Sequence, residues 1–338
     1  MNPRRVRCTV AALAIAAIAV LAAPVVRAYL KLGFELNGRE IAVRWTSMPI
    51  RYLVTNSDVP GATAVQLQMA IQQGFAAWSK APGTSMSSQF VGFTSAQPSV
   101  DDGLSVIGFL ARPDLDRTLG ATSFQFDTVT GELVESDIFL NSAFDWSVAS
   151  AGEAGRFDVQ SIVTHELGHL QGMSHSALGE TELQPTGGRR VLAKQAIMFP
   201  IAFPAGNIDD RTPKADDLAG LGDVYASTAF NRQFGQVSGR VTVNGRGMFG
   251  AHVTAFNSTT GDLVSGFCLD QEGTFVVGGL RPGLYVVRAE PLDDGDITSF
   301  FSGDTVVDIN FKPTIFSRLV AVPAGGSSLA IEIKASPK

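Results

Sequence analysis

The spacing of three of the four histidines constrains this chain more than any other feature. They lie in the run His-Glu-Leu-Gly-His-Leu-Gln-Gly-Met-Ser-His, residues 165–175. Asp158 is a good N-cap, and the apolar residues that follow it predict a helix ending near Gln171. Residues four apart project from one helix face about one turn apart, so the imidazoles of His165 and His169 are expected side by side. One zinc ion could then bind both rings.

The third histidine, His175, cannot lie on the same straight helix and still reach the metal. Gly172 provides the turn, because glycine adopts the left-handed conformation that ends a helix and redirects the chain. Three protein ligands leave a fourth position for water or a substrate carbonyl, which is typical of catalytic zinc. Glu166 stands beside the first ligand, where a carboxylate can act as a general base. The alternative is that the three histidines and Glu166 lie at a helix end by chance, without a function. It leaves the clustering of the histidines unexplained.

The first 28 residues predict a signal peptide. Arg4, Arg5 and Arg7 precede the almost unbroken apolar run 9–23, and Ala28 ends a stretch with small residues at the positions a signal peptidase reads. The alternative is an uncleaved anchor, because residues 8–26 are just long enough to span a bilayer. We favour cleavage near Ala28, which predicts a secreted or cell-envelope protein without stable membrane insertion.

Composition narrows the class of partner. The chain has 338 residues and 45% hydrophobic residues, which is enough for two domains with cores of their own. Its formal net charge is −6, and removal of the four arginines in residues 1–28 leaves −10. An acidic chain without basic runs argues against nucleic acid or an anionic membrane surface as partner. Cys268 would be the single cysteine left after cleavage, so no intramolecular disulfide is expected.

Two changes in the pattern of apolar and turn residues divide the rest of the chain. Residues 29–228 mix strand and helix patterns: helices are predicted at 60–80, at 158–171 and from an N-cap at Thr212, with strands at 50–54, 90–93, 104–110, 119–126 and 132–141. The stretch 173–211 reads as one long irregular loop. Residues 229–236 read as a linker. Short alternating runs separated by turn glycines fill 237–338 and predict a β-sandwich.

The histidine run resembles the metzincin signature, and its surroundings look like the matrixin (matrix metalloproteinase) branch. Ser176 after the third histidine is the matrixin choice, and residues 196–200 resemble the Met-turn, in which Met198 would lie beneath the zinc. Residues 216–225 are similar to the last helix of the matrixin catalytic domain. The resemblance covers roughly residues 45–227. Met198 is also compatible with plain core packing, and we leave the two interpretations open.

The resemblance implies an α+β fold, a twisted mixed β-sheet with three helices, and a zinc metalloendopeptidase acting on protein or peptide substrates. In matrixins the edge strand of the sheet pairs with an extended substrate; here that strand is the one around Leu119 to Phe124. A pocket beside the zinc, walled by Phe199, Pro200 and Ile201, would select side chains.

The chain also departs from the family pattern. No pro-segment with a zinc-binding cysteine is present, so activity without removal of an inhibitory segment is expected. With His252 the only further histidine, a second, structural zinc is not expected. Asp101, Asp102 and Asp127 could contribute calcium sites, although solvated turn acids are the preferred interpretation. Residues 237–338 resemble the transthyretin-like, carboxypeptidase-regulatory-like sandwich.

These observations predict an exported zinc-dependent endopeptidase with one catalytic zinc on His165, His169 and His175 and with Glu166 as general base. The alternative is a non-catalytic zinc-containing adhesion or binding protein on a metzincin scaffold. The intact Glu166 argues against it, because a protein that only binds metal needs no base. The predicted linker further suggests that residues 29–228 fold and cleave small peptides without the sandwich.

Overall fold

The computed structural model describes residues 5–12, 31–185, 187–301 and 305–338. The predicted signal peptide lies mostly outside these residues, as does the cleavage site expected near Ala28. Only its residues 5–12 are described, and they form a strand. Within the described residues, no helix is both long enough and apolar enough to cross a membrane.

The first unit is a mixed sheet with helices packed on it, which confirms the predicted α+β class. Its elements are β1 (Arg5–Ala12), β2 (Gly33–Leu36), β3 (Arg39–Ala42), β4 (Ile50–Thr55), α1 (Ala64–Trp78), β5 (Ser88–Thr94), β6 (Val106–Leu110), β7 (Gly120–Asp127), β8 (Leu133–Asn141), β9 (Trp146–Ser147), β10 (Phe157–Asp158), α2 (Val159–Leu170), β11 (Gly179–Leu183), β12 (Arg189–Lys194) and α3 (Ala215–Val224). The six-stranded sheet has the order β1-β7-β8-β6-β4-β5. Strands β4, β5, β6 and β8 are parallel, and β7 runs antiparallel to β8.

Helices α1 and α2 pack together over a shared apolar core. The indole Nε1 of Trp78, at the end of α1, donates to the carbonyl of Thr164 in α2 at 2.8 Å. Ile71 and Leu167 are wholly buried, as the helical spacing predicts. Asp158 caps α2 as predicted, because its side chain accepts the N–H of Ser161. The helix that carries two of the histidines is therefore fixed at its start and along one face.

Strand β7 is not a free edge in this structure. The sequence predicts that it pairs with substrate, but residues 5–12 run antiparallel to it, with Ala12 opposite Gly120 and Arg5 opposite Asp127. An edge strand offers unpaired N–H and C=O groups to any extended segment, and β1 is such a segment. The chain's own N-terminal strand thus lies where a substrate strand is expected.

Two elements differ from the sequence prediction. Thr212 is not the N-cap of α3, which begins at Ala215 after a 3₁₀ turn at Asp209–Arg211. The carboxylate of Asp217 accepts the N–H of Lys214 at 2.7 Å and satisfies the start of the helix from inside. The stretch 173–211 is also not wholly irregular, because β11 and β12 form an antiparallel hairpin within it.

The second unit consists of two β-sheets. Its elements are α4 (Thr228–Gln233), β13 (Gly235–Val243), β14 (Arg246–Gly247), β15 (His252–Asn257), β16 (Leu263–Phe267), β17 (Thr274–Leu280), β18 (Gly283–Glu290), β19 (Thr314–Ile315), β20 (Val320–Val322) and β21 (Ile331–Ala335). One sheet has the order β14-β13-β17 with β21 beside β13. The other has the order β16-β15-β18-β19 with β20 beside β18. This agrees with the predicted all-β region.

The two units share one apolar core. Buried side chains of α2 and α3 belong to the same hydrophobic cluster as those of β13, β15 and β17. The segment 229–236, predicted as a linker, is mostly α4 and the start of β13, and Phe230 and Phe234 in it are buried. Burial of apolar surface between the units favours a fixed arrangement over a flexible tether.

Candidate metal centre

The structure brings the three predicted histidines together. Nε2 of His169 lies 3.1 Å from Nε2 of His165 and 3.2 Å from Nε2 of His175. Three nitrogens bound tetrahedrally to one zinc ion at about 2.0–2.1 Å would lie about 3.3 Å apart, so this arrangement fits zinc. Among the His, Cys, Asp and Glu side chains of the described residues, these three form the one group of three or more whose ligand atoms lie close enough together to share a metal ion.

The outer nitrogen of each ring is fixed by a backbone carbonyl. Nδ1 of His165 lies 2.6 Å from the carbonyl oxygen of Ile197, and Nδ1 of His169 lies 2.9 Å from that of Met173. Nδ1 of His175 lies 2.8 Å from the carbonyl oxygen of Ser299. A carbonyl only accepts, so each Nδ1 carries the proton and each Nε2 presents its lone pair to the centre.

Gly172 makes this convergence possible. Its φ is +93°, in the left-handed region that a side chain would disfavour, and it directly follows Gln171, the C-cap of α2. The N–H of Met173 then donates back to the carbonyl of Gly168 at 3.0 Å, which closes the helix end. The predicted reversal of the chain toward His175 is therefore confirmed.

Burial keeps the three imidazoles neutral. It lowers the pKa of His165 and His169 well below the ordinary value, and the neighbouring histidines lower both further. Burial also lowers the pKa of His175, to about 4. At neutral pH all three rings are therefore uncharged, with the proton on Nδ1 and a free lone pair on Nε2, which is the state that binds a metal.

Glu166 is a buried carboxyl beside this cluster. Thr122, in β7, donates its hydroxyl to Oε2 of Glu166 at 2.7 Å. The other oxygen, Oε1, is buried and has no hydrogen-bond partner within the described part of the chain. A side chain at Gly120 would begin 3.2 Å from that oxygen. Burial raises the pKa of Glu166 to about 8, and such a carboxyl can take up and release a proton near neutral pH.

The segment around Met198 is fixed by a residue that sequence reasoning did not assign to the site. Asp217 accepts the N–H of Ile197 at 2.9 Å and that of Met198 at 3.1 Å. The carbonyl of Met198 accepts the N–H of Ser176 at 2.9 Å. Met198 itself is wholly buried within the main hydrophobic cluster. This turn therefore holds the Ile197 carbonyl, to which His165 donates.

A small pocket lies beside His165. Its walls include Phe199 and Pro200, as predicted; Ile201 is not in the wall. At one side, Nζ of Lys194 lies 2.6 Å from Oδ2 of Asp210, and both side chains are almost fully buried. The free volume is about 20 Å³, room for little more than one water molecule. The sequence carried no local signal for this ion pair, because the two residues come from different segments of the predicted loop.

The other acidic and histidine residues singled out by sequence have separate surroundings. Asp102 accepts the N–H of Leu104, Asp127 accepts the N–H groups of a turn, and Asp101 accepts from Gln125. Their carboxylates are engaged by the chain itself, and calcium binding stays a prediction. His252 lies in β15 and pairs with Glu290 at 3.1 Å, away from the three histidines.

Comparison with known families agrees with this geometry. The family model described as matrixin matches residues 44–226, which is more than half of the chain. The matched part contains α2, the three histidines, Met198 and α3. No curated protein matches the chain.

Proposed function

The chain belongs to the matrixin family of zinc metallopeptidases, and from that premise we propose that it is an exported zinc-dependent endopeptidase. In this proposal His165, His169 and His175 hold one zinc ion and Glu166 is the general base. The observation that carries it is the convergence of three Nε2 atoms whose rings are each oriented by a carbonyl. Three protein ligands would leave one of zinc's four positions to water or substrate, as in catalytic zinc sites.

Glu166 supplies the proton transfers. Bound zinc would polarise the scissile carbonyl and activate a water molecule. Oε2 of Glu166 is occupied by the Thr122 hydroxyl, which leaves the unpartnered Oε1 to accept the proton of that water. The same carboxyl would then pass the proton to the leaving amine, and burial, which raises its pKa, favours the protonated form that this second transfer needs. This environment favours catalysis over the adhesion-protein alternative.

Strand β7 is the proposed binding strand for an extended peptide. It lies directly beside Glu166, through Thr122, and it already pairs antiparallel with an extended segment of the chain, β1. A substrate would take the place of β1 and form backbone hydrogen bonds that do not depend on sequence. Removal of residues 1–28 as a signal peptide would free this strand, so export and exposure of the site would coincide.

The pocket beside His165 would select a substrate side chain next to the cleaved bond. Its free volume of about 20 Å³ favours short side chains over aromatic ones. The decisive experiment combines metal analysis of the protein from residue 29 onward with cleavage of a peptide library. One zinc per chain and chelator-sensitive cleavage are expected. A zinc-loaded protein that cleaves no peptide would instead support the adhesion alternative.

A further inference from the structure

The second unit contributes a hydrogen-bond acceptor to the metal centre. Two of the histidines donate Nδ1–H to carbonyls of the first unit, those of Ile197 and Met173. His175 is different, because its acceptor is the carbonyl of Ser299, 124 residues further along the chain. Ser299 ends a 3₁₀ turn, Ile297–Ser299, in the connection between β18 and β19. One zinc ligand is therefore oriented by the C-terminal β-sheets.

The loop that presents this carbonyl, residues 293–301, is docked at several points. The N–H of Thr181 donates to Oδ1 of Asp294 at 2.8 Å, and its hydroxyl donates to the Asp294 carbonyl at 2.7 Å. Nη1 of Arg189 donates to the carbonyl of Asp293 at 2.9 Å. Thr181 and Arg189 lie on the hairpin of β11 and β12. The 293–301 loop is thus held against the first unit on the side of the metal centre.

Asp216 makes a second connection between the two units, next to His175 in the sequence. Its Oδ2 accepts the hydroxyl of Ser176 at 2.6 Å, and its Oδ1 accepts the N–H of Ser265 in β16 at 2.7 Å. The carboxyl is wholly buried. Because Ser176 directly follows His175, the β-sheets fix the backbone beside this ligand as well as its ring.

We propose that the C-terminal β-sheets are an integral part of the metal centre, with the Ser299 carbonyl as the acceptor that positions His175. This rests on the proposed function for the identity of the metal. Partners of this kind set the tautomer and orientation of a ligand, and their loss typically costs about 10–100-fold in metal affinity. Residues 29–228 alone would lack the acceptor and would expose the shared core, so we do not expect them to act independently.

Substitution at Phe300 tests the carbonyl directly. The N–H of Phe300 donates to the Ile297 carbonyl at 3.0 Å, and its φ is −119°. Proline removes that N–H, requires a φ near −65° and pushes Ser299 out of helical conformation. Phe300→Ala is the matched control, because it loses the same ring but keeps the backbone. In the full chain, zinc release to a chromogenic chelator is expected to be about 10–100-fold faster for Phe300→Pro than for Phe300→Ala.

A second pair of variants guards against misfolding of the proline variant. Thr181→Val removes the hydroxyl that holds the 293–301 loop, and Thr314→Val removes a hydroxyl bond to the Lys312 carbonyl, within its own segment, and leaves the contacts of that loop with the hairpin intact. Of these two variants, only Thr181→Val is expected to release zinc faster than the parent protein. Equal release within both pairs, with native circular dichroism, would overturn the proposal.

The tautomer of His175 gives a readout that needs neither zinc nor activity. Imidazole ¹⁵N spectra are expected to show the proton on Nδ1 in Phe300→Ala and a loss of that preference in Phe300→Pro. If these contrasts appear in a chain that cleaves no peptide, the proposed function fails while the positioning role stands. Identical spectra for the two variants would contradict the role of Ser299.

Discussion

Thr122 donates its hydroxyl to Oε2 of Glu166 at 2.7 Å and also contacts the backbone carbonyl of Glu166 at 3.1 Å. This pair joins β7, the strand proposed to bind substrate, to α2, the helix that carries two of the proposed metal ligands. The strand and the base therefore keep a fixed distance. A peptide paired with β7 would present its backbone to the free oxygen of the same carboxyl.

Glu166→Gln is expected to separate metal binding from chemistry. The side chain is not a ligand in the proposed scheme, so zinc content should remain near one per chain. Loss of the proton acceptor should lower kcat by about 10²–10⁴-fold. His169→Ala is the contrasting variant, because it removes a ligand and should lose zinc. Near-normal cleavage by the glutamine variant would refute the assigned base.

The buried carboxyl of Asp216 leads us to expect that the free energy of unfolding decreases as the pH rises. Burial raises its pKa to about 8 in the folded protein, whereas an aspartate in an unfolded chain titrates near 4. Between these values the folded state holds more protons, so the free energy of unfolding should fall as the pH rises, by up to about 1.4 kcal/mol per unit. Above about pH 8 this contribution should level off.

Asp216→Asn should flatten that dependence, measured by denaturant unfolding from pH 5 to pH 8. The amide can still accept from the Ser265 N–H and can donate to the Ser176 hydroxyl, so the fold should persist. Asp223→Asn, on the same helix, is the control because Asp223 is half-exposed and pairs with Lys31 at the surface. A difference in unfolding free energy between the parent and Asp216→Asn that stays constant over this range would contradict the buried neutral state of Asp216.

Leu119→Ala should let the pocket beside His165 accept larger substrate side chains. Leu119 is buried in its wall, and removal of three carbons adds space for a longer substrate side chain. The ratio of kcat/KM for a leucine peptide over an alanine peptide should rise at least several-fold. Leu115→Ala is the control, since Leu115 lies on the same connection but outside the pocket. An unchanged ratio would place side-chain selection elsewhere.

Residues 1–28 should inhibit the enzyme for as long as they stay attached. Because β1 pairs with β7, a chain that retains them should cleave peptides more slowly than one beginning at residue 29. Thr9→Pro combined with Val10→Pro in the longer chain removes the backbone donor that one of these two neighbouring residues directs at β7, and should restore part of the rate. Equal kcat/KM for all three proteins would show that β1 does not compete with substrate.

Local chemistry explains what the sequence predicted well. His165, His169 and Gly172 lie within two helical turns, so their arrangement follows from helix geometry and one glycine. Asp158 caps its helix three residues away for the same reason. The predicted N-cap at Thr212 failed because Asp217, a residue inside the helix, satisfies both the helix start and the Met198 turn.

Distant partners explain what could not be predicted. Lys194 and Asp210 form a buried pair across a segment that has no periodic pattern. Ser299 acts through its backbone carbonyl, a group that every residue possesses, so no residue type marks it in the sequence. The pairing of β1 with β7 likewise depends on backbone groups rather than on side-chain identity.

In the proposed enzyme, the 124-residue separation of His175 and Ser299 would also determine when proteolysis could begin. A chain that is synthesised or threaded through a membrane with its N-terminus first releases its histidines long before residue 299 follows. Until the last third has emerged and folded, His175 lacks its acceptor and the buried face of α3 is uncovered. The nascent polypeptide would therefore not cleave the ribosome or the export apparatus, and proteolytic activity would appear only once the whole chain is folded.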